Sequence, residues 1–252
     1  MSFKYRFFGA LVGAALLTAV ATPSSAFVLG PTSPGKWGNP LLGTPGGTVT
    51  YSLMGSGIAI DERNSEGVGF NGTSDLLSGF LPSGFEDQID LAFGAWSAIA
   101  DINFMKVTDS GLSFNLTGAT GDIRIGGHTF DGAGGVLAHG FFPPANGASA
   151  AGDIHLDSEE PWKIGFGGTG FDIFTVLAHE IGHAIGLDHV SVGVATALMN
   201  PIYTEAFSGL QADDIAGAQF IYGIPLPAAL PLFGGALAVI GVLGWRRRKS
   251  AA

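Results

Sequence analysis

Three histidines and a glutamate carry the strongest chemical signal in the chain. His179 and His183 stand four residues apart in HEIGHAIGLDH, residues 179–189. On a helix that spacing projects both imidazoles from one face, a turn apart. Glu180 follows the first histidine, where it can reach a water at the metal without being a ligand itself. Gly186, three residues after the second histidine, can take the left-handed conformation that ends a helix and redirects the chain. His189 then arrives from outside the helix. Three neutral imidazoles leave a tetrahedral zinc with one open position, the pattern of a catalytic rather than a structural site.

This motif, followed by Ala197-Leu198-Met199-Asn200-Pro201-Ile202-Tyr203, resembles the metzincin metalloproteases, whose methionine turn underlies the zinc. Asp188 before the third histidine and the Pro-x-Tyr at Pro201 and Tyr203 make it most similar to the matrixins, the matrix-metalloprotease branch. The resemblance is strong over residues 121–223 and continues more weakly back to Gly47. It implies an α+β metzincin (zincin-like) fold: a twisted, five-stranded mixed sheet with two to three long helices, and a small lower part after His189. It also implies a zinc endopeptidase in which Glu180 is the general base and Met199 forms the floor of the site. Leu137 and Ala138 would lie on the edge strand that pairs with an extended peptide. Pro201 and Tyr203 would wall the pocket for the residue after the cut bond, and Asp213-Asp214 would anchor the last helix. The alternative is a non-catalytic surface or matrix adhesion protein on the same scaffold. Glu180 speaks against it, because a binder needs no base.

Two further stretches, Phe130–His139 and Gly152–Trp162, resemble matrixin segments that hold a structural zinc and calcium. Asp131, Asp157 and Glu160 would hold one calcium and Asp122 with Asp153 another; carboxylates are the hard oxygen donors that calcium takes. His139 and His155 suit a second zinc. In matrixins a longer loop adds a histidine and an aspartate two apart. Here only Gly126-Gly127-His128-Thr129 precedes Phe130, so the matching aspartate is missing. Either His128 is a ligand with water or Asp131 completing the set, or the second zinc is lost. Retention is favoured because the chain has six histidines: three lie in the catalytic motif and the other three are His128, His139 and His155.

Several elements must position these groups. Residues 48–54 alternate and are rich in β-formers, as a first strand is. Residues 55–84 show no clear period and read as loop. Residues 85–100 place Ile89, Phe93 and Trp96 on one stripe with acids in the first turn, an amphipathic helix. Residues 103–107 and 122–125 read as strands, 171–185 as the active-site helix, and 210–222 as a closing helix with Ile215, Ala218 and Tyr222 inward.

The ends differ from the body. Lys4 and Arg6, an apolar run over residues 7–20 and Ser24-Ser25-Ala26 read as a secretory signal peptide over 1–26. Residues 27–46 are rich in proline and glycine and read as a flexible leader to a catalytic domain over 47–223. Residues 224–245 are almost wholly apolar, long enough to span a bilayer, and end in Arg246-Arg247-Arg248-Lys249. With Pro225-Leu226-Pro227-Ala228 this 224–252 tail resembles the bacterial PEP-CTERM sorting class, which implies an exosortase as processing partner, membrane anchoring at least for a time, and an extracellular or envelope location. Without the six basic residues of the two ends, five remain against 21 acidic ones. Such a body is a poor partner for nucleic acid and a good one for divalent cations. No cysteine is present, which excludes disulfides, thiolate metal sites and the cysteine latch that holds matrixin zymogens inactive.

Overall fold

A computed structural model describes residues 27–62, 70–143, 150–192 and 196–225. The expected signal peptide and nearly all of the C-terminal span lie outside the described residues. Within them no helix is long and apolar enough to cross a membrane. In chain order the strands are β1 (Val28–Leu29), β2 (Gly47–Leu53), β3 (Ala59–Asp61), β4 (Asn71–Thr73), β5 (Ile102–Lys106), β6 (Ile123–His128), β7 (Ala138–Gly140), β8 (Ile154–Asp157), β9 (Trp162–Lys163), β10 (Phe171–Asp172) and β11 (Leu187–Asp188). The helices are the single turn α1 (Leu77–Phe80), then α2 (Phe85–Ser97), α3 (Ile173–Ala184) and α4 (Ala212–Tyr222).

Five strands form one mixed sheet in the order β5-β2-β6-β8-β7. The first four run parallel and β7 runs antiparallel to β8 at the edge. Every residue of β6 and β8 is buried, as expected of strands covered on both faces. The stripe Ile89, Ala92, Phe93 and Trp96 of α2 is buried with Leu177, Ala178 and Ile181 of α3 and with Ile123, Ile125, Ile154 and Leu156 of the sheet. Trp96 donates its buried Nε1–H to the Ala178 carbonyl at 2.9 Å, tying α2 to the active-site helix. This is the α+β metzincin architecture expected from the sequence.

Three expectations are corrected. The stretch 55–84 is not simple loop: β3 and β4 pair as an antiparallel hairpin, and α1 follows. Residues 27–46 are not a loose leader. β1 pairs with β11, Gly30 N–H bonds the Gly186 carbonyl at 2.8 Å, and Trp37 Nε1–H bonds the Ala184 carbonyl at 2.7 Å. Lys36 is 1% exposed, its ammonium donating to the Trp37 and Asn39 carbonyls and lying 5.0 Å from the centroid of the Tyr222 ring. The segment from β1 to Trp37 therefore covers the end of α3, where helix carbonyls otherwise lack partners. In α4, Asp214, Gly217, Ala218, Ile221 and Tyr222 face inward, while Ile215 is only half-buried.

Candidate active site

The active-site helix begins at Asp172, whose carboxylate accepts from the Thr175 amide at 3.0 Å and its hydroxyl at 2.7 Å, an N-cap. It ends one residue before Ile185. Gly186 then takes φ +107°, with the Gly35 carbonyl oxygen only 2.2 Å from where a Cβ would stand. A side chain there is excluded twice over, by backbone angle and by space. The turn sends His189 back over the helix. His189 Nε2 stands 3.0 Å from His179 Nε2 and 3.1 Å from His183 Nε2.

The tautomers of two of these rings are fixed from behind. His179 Nδ1 lies 2.7 Å from the Leu198 carbonyl and His183 Nδ1 2.8 Å from the Leu187 carbonyl. A carbonyl only accepts, so each Nδ1 carries the proton and each Nε2 presents a lone pair. Lone pairs converging at 3 Å repel unless a cation lies among them. Zinc–imidazole bonds of about 2.0–2.1 Å in a tetrahedron require nitrogens roughly 3.3 Å apart, close to the spacing found. The residues fit zinc.

Met199 is buried, and its Sδ would lie 2.3 Å from a Cβ at Gly182. Glycine at that point of α3 lets the thioether pass directly beneath the ligand helix. The turn is held by Asp214, whose carboxylate accepts from the Leu198 amide at 2.8 Å and the Met199 amide at 3.1 Å. The acid expected to anchor the last helix therefore also holds the carbonyl that orients His179. Glu180 is buried, and its Oε2 has no hydrogen-bond partner. Burial pushes its carboxyl up to about 8, so the carboxylate is a stronger base than an exposed one.

Burial also lowers the imidazoles: His179 falls to about 4 from an ordinary 6.5, and His183 falls well below 6.5, helped by its histidine neighbours. A folded state that resists protonation loses stability where the unfolded chain takes protons up. Chelator-stripped protein is therefore expected to lose stability as pH falls from about 6.5 to about 4, by on the order of 3 kcal/mol for His179 alone. Added zinc should displace this loss to lower pH, because metal and proton compete for the same nitrogens. Thermal melts across that range, with and without zinc, measure it.

A cavity of about 500 Å3 is lined by Leu137, Ala138, Val176, Leu198, Pro201, Tyr203 and other residues, with His179, Glu180 and His189 of the histidine cluster also in its wall. All four residues expected to bind substrate meet there. β7 pairs only with β8 within the five-stranded sheet, so its outer edge faces the cleft.

The second histidine cluster also assembles. His139 and His155 stand opposite each other across β7 and β8, and His128 ends the neighbouring β6. The fourth group is Glu62, at the end of β3, which sequence reasoning missed. Together these four form one of two groups able to hold a metal ion among the described residues; the other is His179, His183 and His189. Glu62 Oε2 is 3.2 Å from His128 Nε2, and Oε1 is 3.2 Å from His139 Nε2 and in contact with His155 Nδ1. His128 Nδ1 lies 2.9 Å from the Thr129 carbonyl, so its Nε2 meets the carboxylate favourably only with a second ring proton or a cation between them. Burial pushes the Glu62 carboxyl up, but the three imidazole contacts outweigh it and hold the group below the usual carboxylate range. Glu62, His128 and His155 are 0% exposed. Four enclosed N and O ligands fit a structural zinc.

Asp131 does not complete this set, as one expectation had it; its Oδ1 accepts from the Val136 amide at 3.0 Å. The acids expected at the two calcium sites also accept hydrogen bonds. Asp122 accepts from the Thr50 amide and hydroxyl at 2.8 and 2.7 Å. Asp153 accepts from the Arg124 amide at 2.8 Å, and Glu160 from the Gly134 amide at 2.7 Å. In the structure Ile58, Ile60 and Glu62 are all buried, the period-2 face of a strand, and that short alternation is the one trace of Glu62 in the sequence.

The sequence profile of the matrixin family matches residues 78–223. Karilysin of Tannerella forsythia is 38% identical over 154 residues, 58% of this chain and 30% of that protein. Stromelysin-3 of Xenopus laevis is 40% identical over 137 residues, 54% and 27% of the two. Interstitial collagenase of Bos taurus is 41% identical over 142 residues, 55% and 28%. The chain thus spans less than a third of the length of these curated relatives. With the helix-borne histidine pair, the glycine turn, the third histidine and the buried methionine all in place, the chain belongs to the matrixin family of zinc metalloendopeptidases.

Proposed function

We propose that this protein is an exported endopeptidase that hydrolyses peptide bonds within an extended segment of a protein substrate, with Glu180 as general base. The observation that carries the reading is the convergence of three Nε2 atoms beside a buried carboxylate oxygen that has no other partner. Zinc bound by His179, His183 and His189 would polarise the scissile carbonyl and bring the pKa of a water toward neutrality. Everything else falls to the chain. The outer edge of β7 offers backbone groups to the substrate as an added strand. The apolar cavity takes the side chain after the cut bond and excludes water around it. Glu180 Oε2 accepts a proton from the attacking water and delivers it to the leaving amine.

Glu62, His128, His139 and His155 hold a second, structural zinc in this reading. Calcium at Asp157 and Glu160 belongs to it too, since Asp157 Oδ2 and Glu160 Oε2 are buried without hydrogen-bond partners. Export and anchoring rest on the sequence of the two ends, with an exosortase-type enzyme as processing partner of the tail. Purified protein is expected to digest gelatin or casein, to stop when a chelator is added, and to resume with added zinc. Digestion undiminished by the chelator would overturn the reading.

A further inference from the structure

The substrate cavity is braced by side chains that do not line it. One of its walls is Tyr203, whose ring meets Phe171 edge-on at 5.2 Å between centroids. Beyond this wall runs residues 163–170, KIGFGGTG, in which Gly165, Gly167, Gly168 and Gly170 all have positive φ. Such a stretch has little conformational preference of its own, so fixing it in one shape costs entropy that some contact must offset. The contact is Glu205. Its Oε1 accepts from Lys163 Nζ at 2.6 Å and from the Tyr203 hydroxyl at 2.9 Å. Its Oε2 accepts from the Gly167 amide at 2.7 Å, and Lys163 Nζ donates onward to the Gly167 carbonyl at 2.9 Å.

The strap reaches the catalytic helix. The Tyr203 hydroxyl accepts from the Asp172 amide at 2.9 Å, and Asp172 is the N-cap of α3. Asp172 in turn accepts from the Gly165 amide at 2.6 Å. One carboxylate thus joins the glycine-rich loop, the tyrosine wall and the start of the helix that carries His179 and Glu180. The Lys163 and Glu205 side chains are 15% and 26% exposed. An isolated exposed pair contributes little, whereas several groups fixed in one network contribute more. The Lys163 ammonium first, then the Gly167 amide and the Tyr203 hydroxyl, hold the Glu205 carboxyl down at about 2, so the carboxylate stays ionised near neutrality.

We propose that Lys163 and Glu205 are a positioning pair that sets the width of the substrate cavity and thereby selects the side chain accepted after the cut bond. The proposal rests on the peptidase reading above. Neither residue touches substrate: Glu205 acts through Tyr203, and Lys163 through Glu205 and the glycine loop. With the strap cut, Tyr203 and the loop can move outward, and a large side chain gains room that a small one does not use.

The test uses peptides identical except for Ala, Leu or Trp after the scissile bond, with kcat and KM measured separately. Glu205→Gln and Lys163→Met are each expected to raise the Trp-to-Leu ratio of kcat/KM roughly three- to tenfold over wild type, mainly through a lower KM for the Trp peptide. Lys163→Arg keeps the charge and should keep the wild-type ratio, and zinc content should stay unchanged in all three. A ratio that holds within about twofold in both cutting variants, while the peptides are still cleaved, overturns the proposal. A wild-type protein that cleaves none of the peptides sinks the peptidase reading itself, and this inference with it.

Discussion

Replacing Glu180 with Gln is expected to slow peptide hydrolysis by roughly 10²–10⁴-fold while the protein keeps its full zinc content. The side chain is not a ligand: the metal group here is His179, His183 and His189, and Glu180 Oε2 stands beside it without a hydrogen-bond partner. Glutamine has nearly the same size and so preserves packing, but its amide cannot accept and carry a proton. The two readouts separate the roles. Turnover that survives in Glu180→Gln with zinc bound removes the general-base assignment. Loss of zinc with loss of turnover would instead give Glu180 a structural part. The raised carboxyl, at about 8 through burial, also predicts that Glu180→Ala stabilises the zinc-free fold slightly near neutral pH, because it removes a group that must take up a proton and be buried without a hydrogen-bond partner.

The second large effect is expected at Glu62. Glu62→Ala should release one zinc per chain and destabilise the fold by at least about 3–5 kcal/mol, the cost of breaking a buried charged group apart from its partners. The carboxylate is fully buried against His128, His139 and His155, and it joins the β3–β4 hairpin to three strands of the main sheet. A metal bound there would add its binding energy to folding. The loss should appear as a lower melting temperature, together with earlier proteolytic nicking of the 55–74 segment. A Glu62→Ala protein that melts as wild type does and keeps two zincs would exclude the carboxylate from the site.

The two metal groups differed in how far the sequence disclosed them. HEIGHAIGLDH holds all three candidate ligands, the candidate base and the turning glycine within eleven residues; helix geometry alone brings His179, Glu180 and His183 together, and only His189 depends on the turn. The second group is assembled by the sheet: His139 opposes His155 because β7 and β8 pair in that register, and Glu62 enters from a hairpin far away in the sequence. No local spacing reports a pairing between distant strands, and the resemblance pointed to an aspartate near His128 that this chain lacks. The alternation Ile58, Ile60, Glu62 was present, but a three-residue strand lies below the length at which period 2 stands out.

The segment 27–46 misled for a different reason. Its prolines and glycines read as mobile, since such residues are common in linkers. Here they serve close contact: the Gly35 carbonyl abuts Gly186, and the Trp37 indole N–H closes the end of α3 at the Ala184 carbonyl. Composition reports what a backbone can do, whereas hydrogen-bond partners from elsewhere in the chain decide what it does. The acids that the resemblance assigns to calcium are only partly engaged: Asp122, Asp131, Asp153, Asp157 and Glu160 each accept from backbone amides or from Thr50. Asp153 Oδ2, Asp157 Oδ2 and Glu160 Oε2 stay buried without hydrogen-bond partners.

Diffraction from crystals of the zinc-loaded protein, recorded on both sides of the zinc absorption edge, tests the central claim most directly. The account predicts one anomalous peak about 2.0–2.1 Å from Nε2 of His179, His183 and His189, with Glu180 beside it but unbound, and a second peak enclosed by Glu62, His128, His139 and His155. The absence of a peak among the three catalytic imidazoles, in protein supplied with excess zinc, would contradict it.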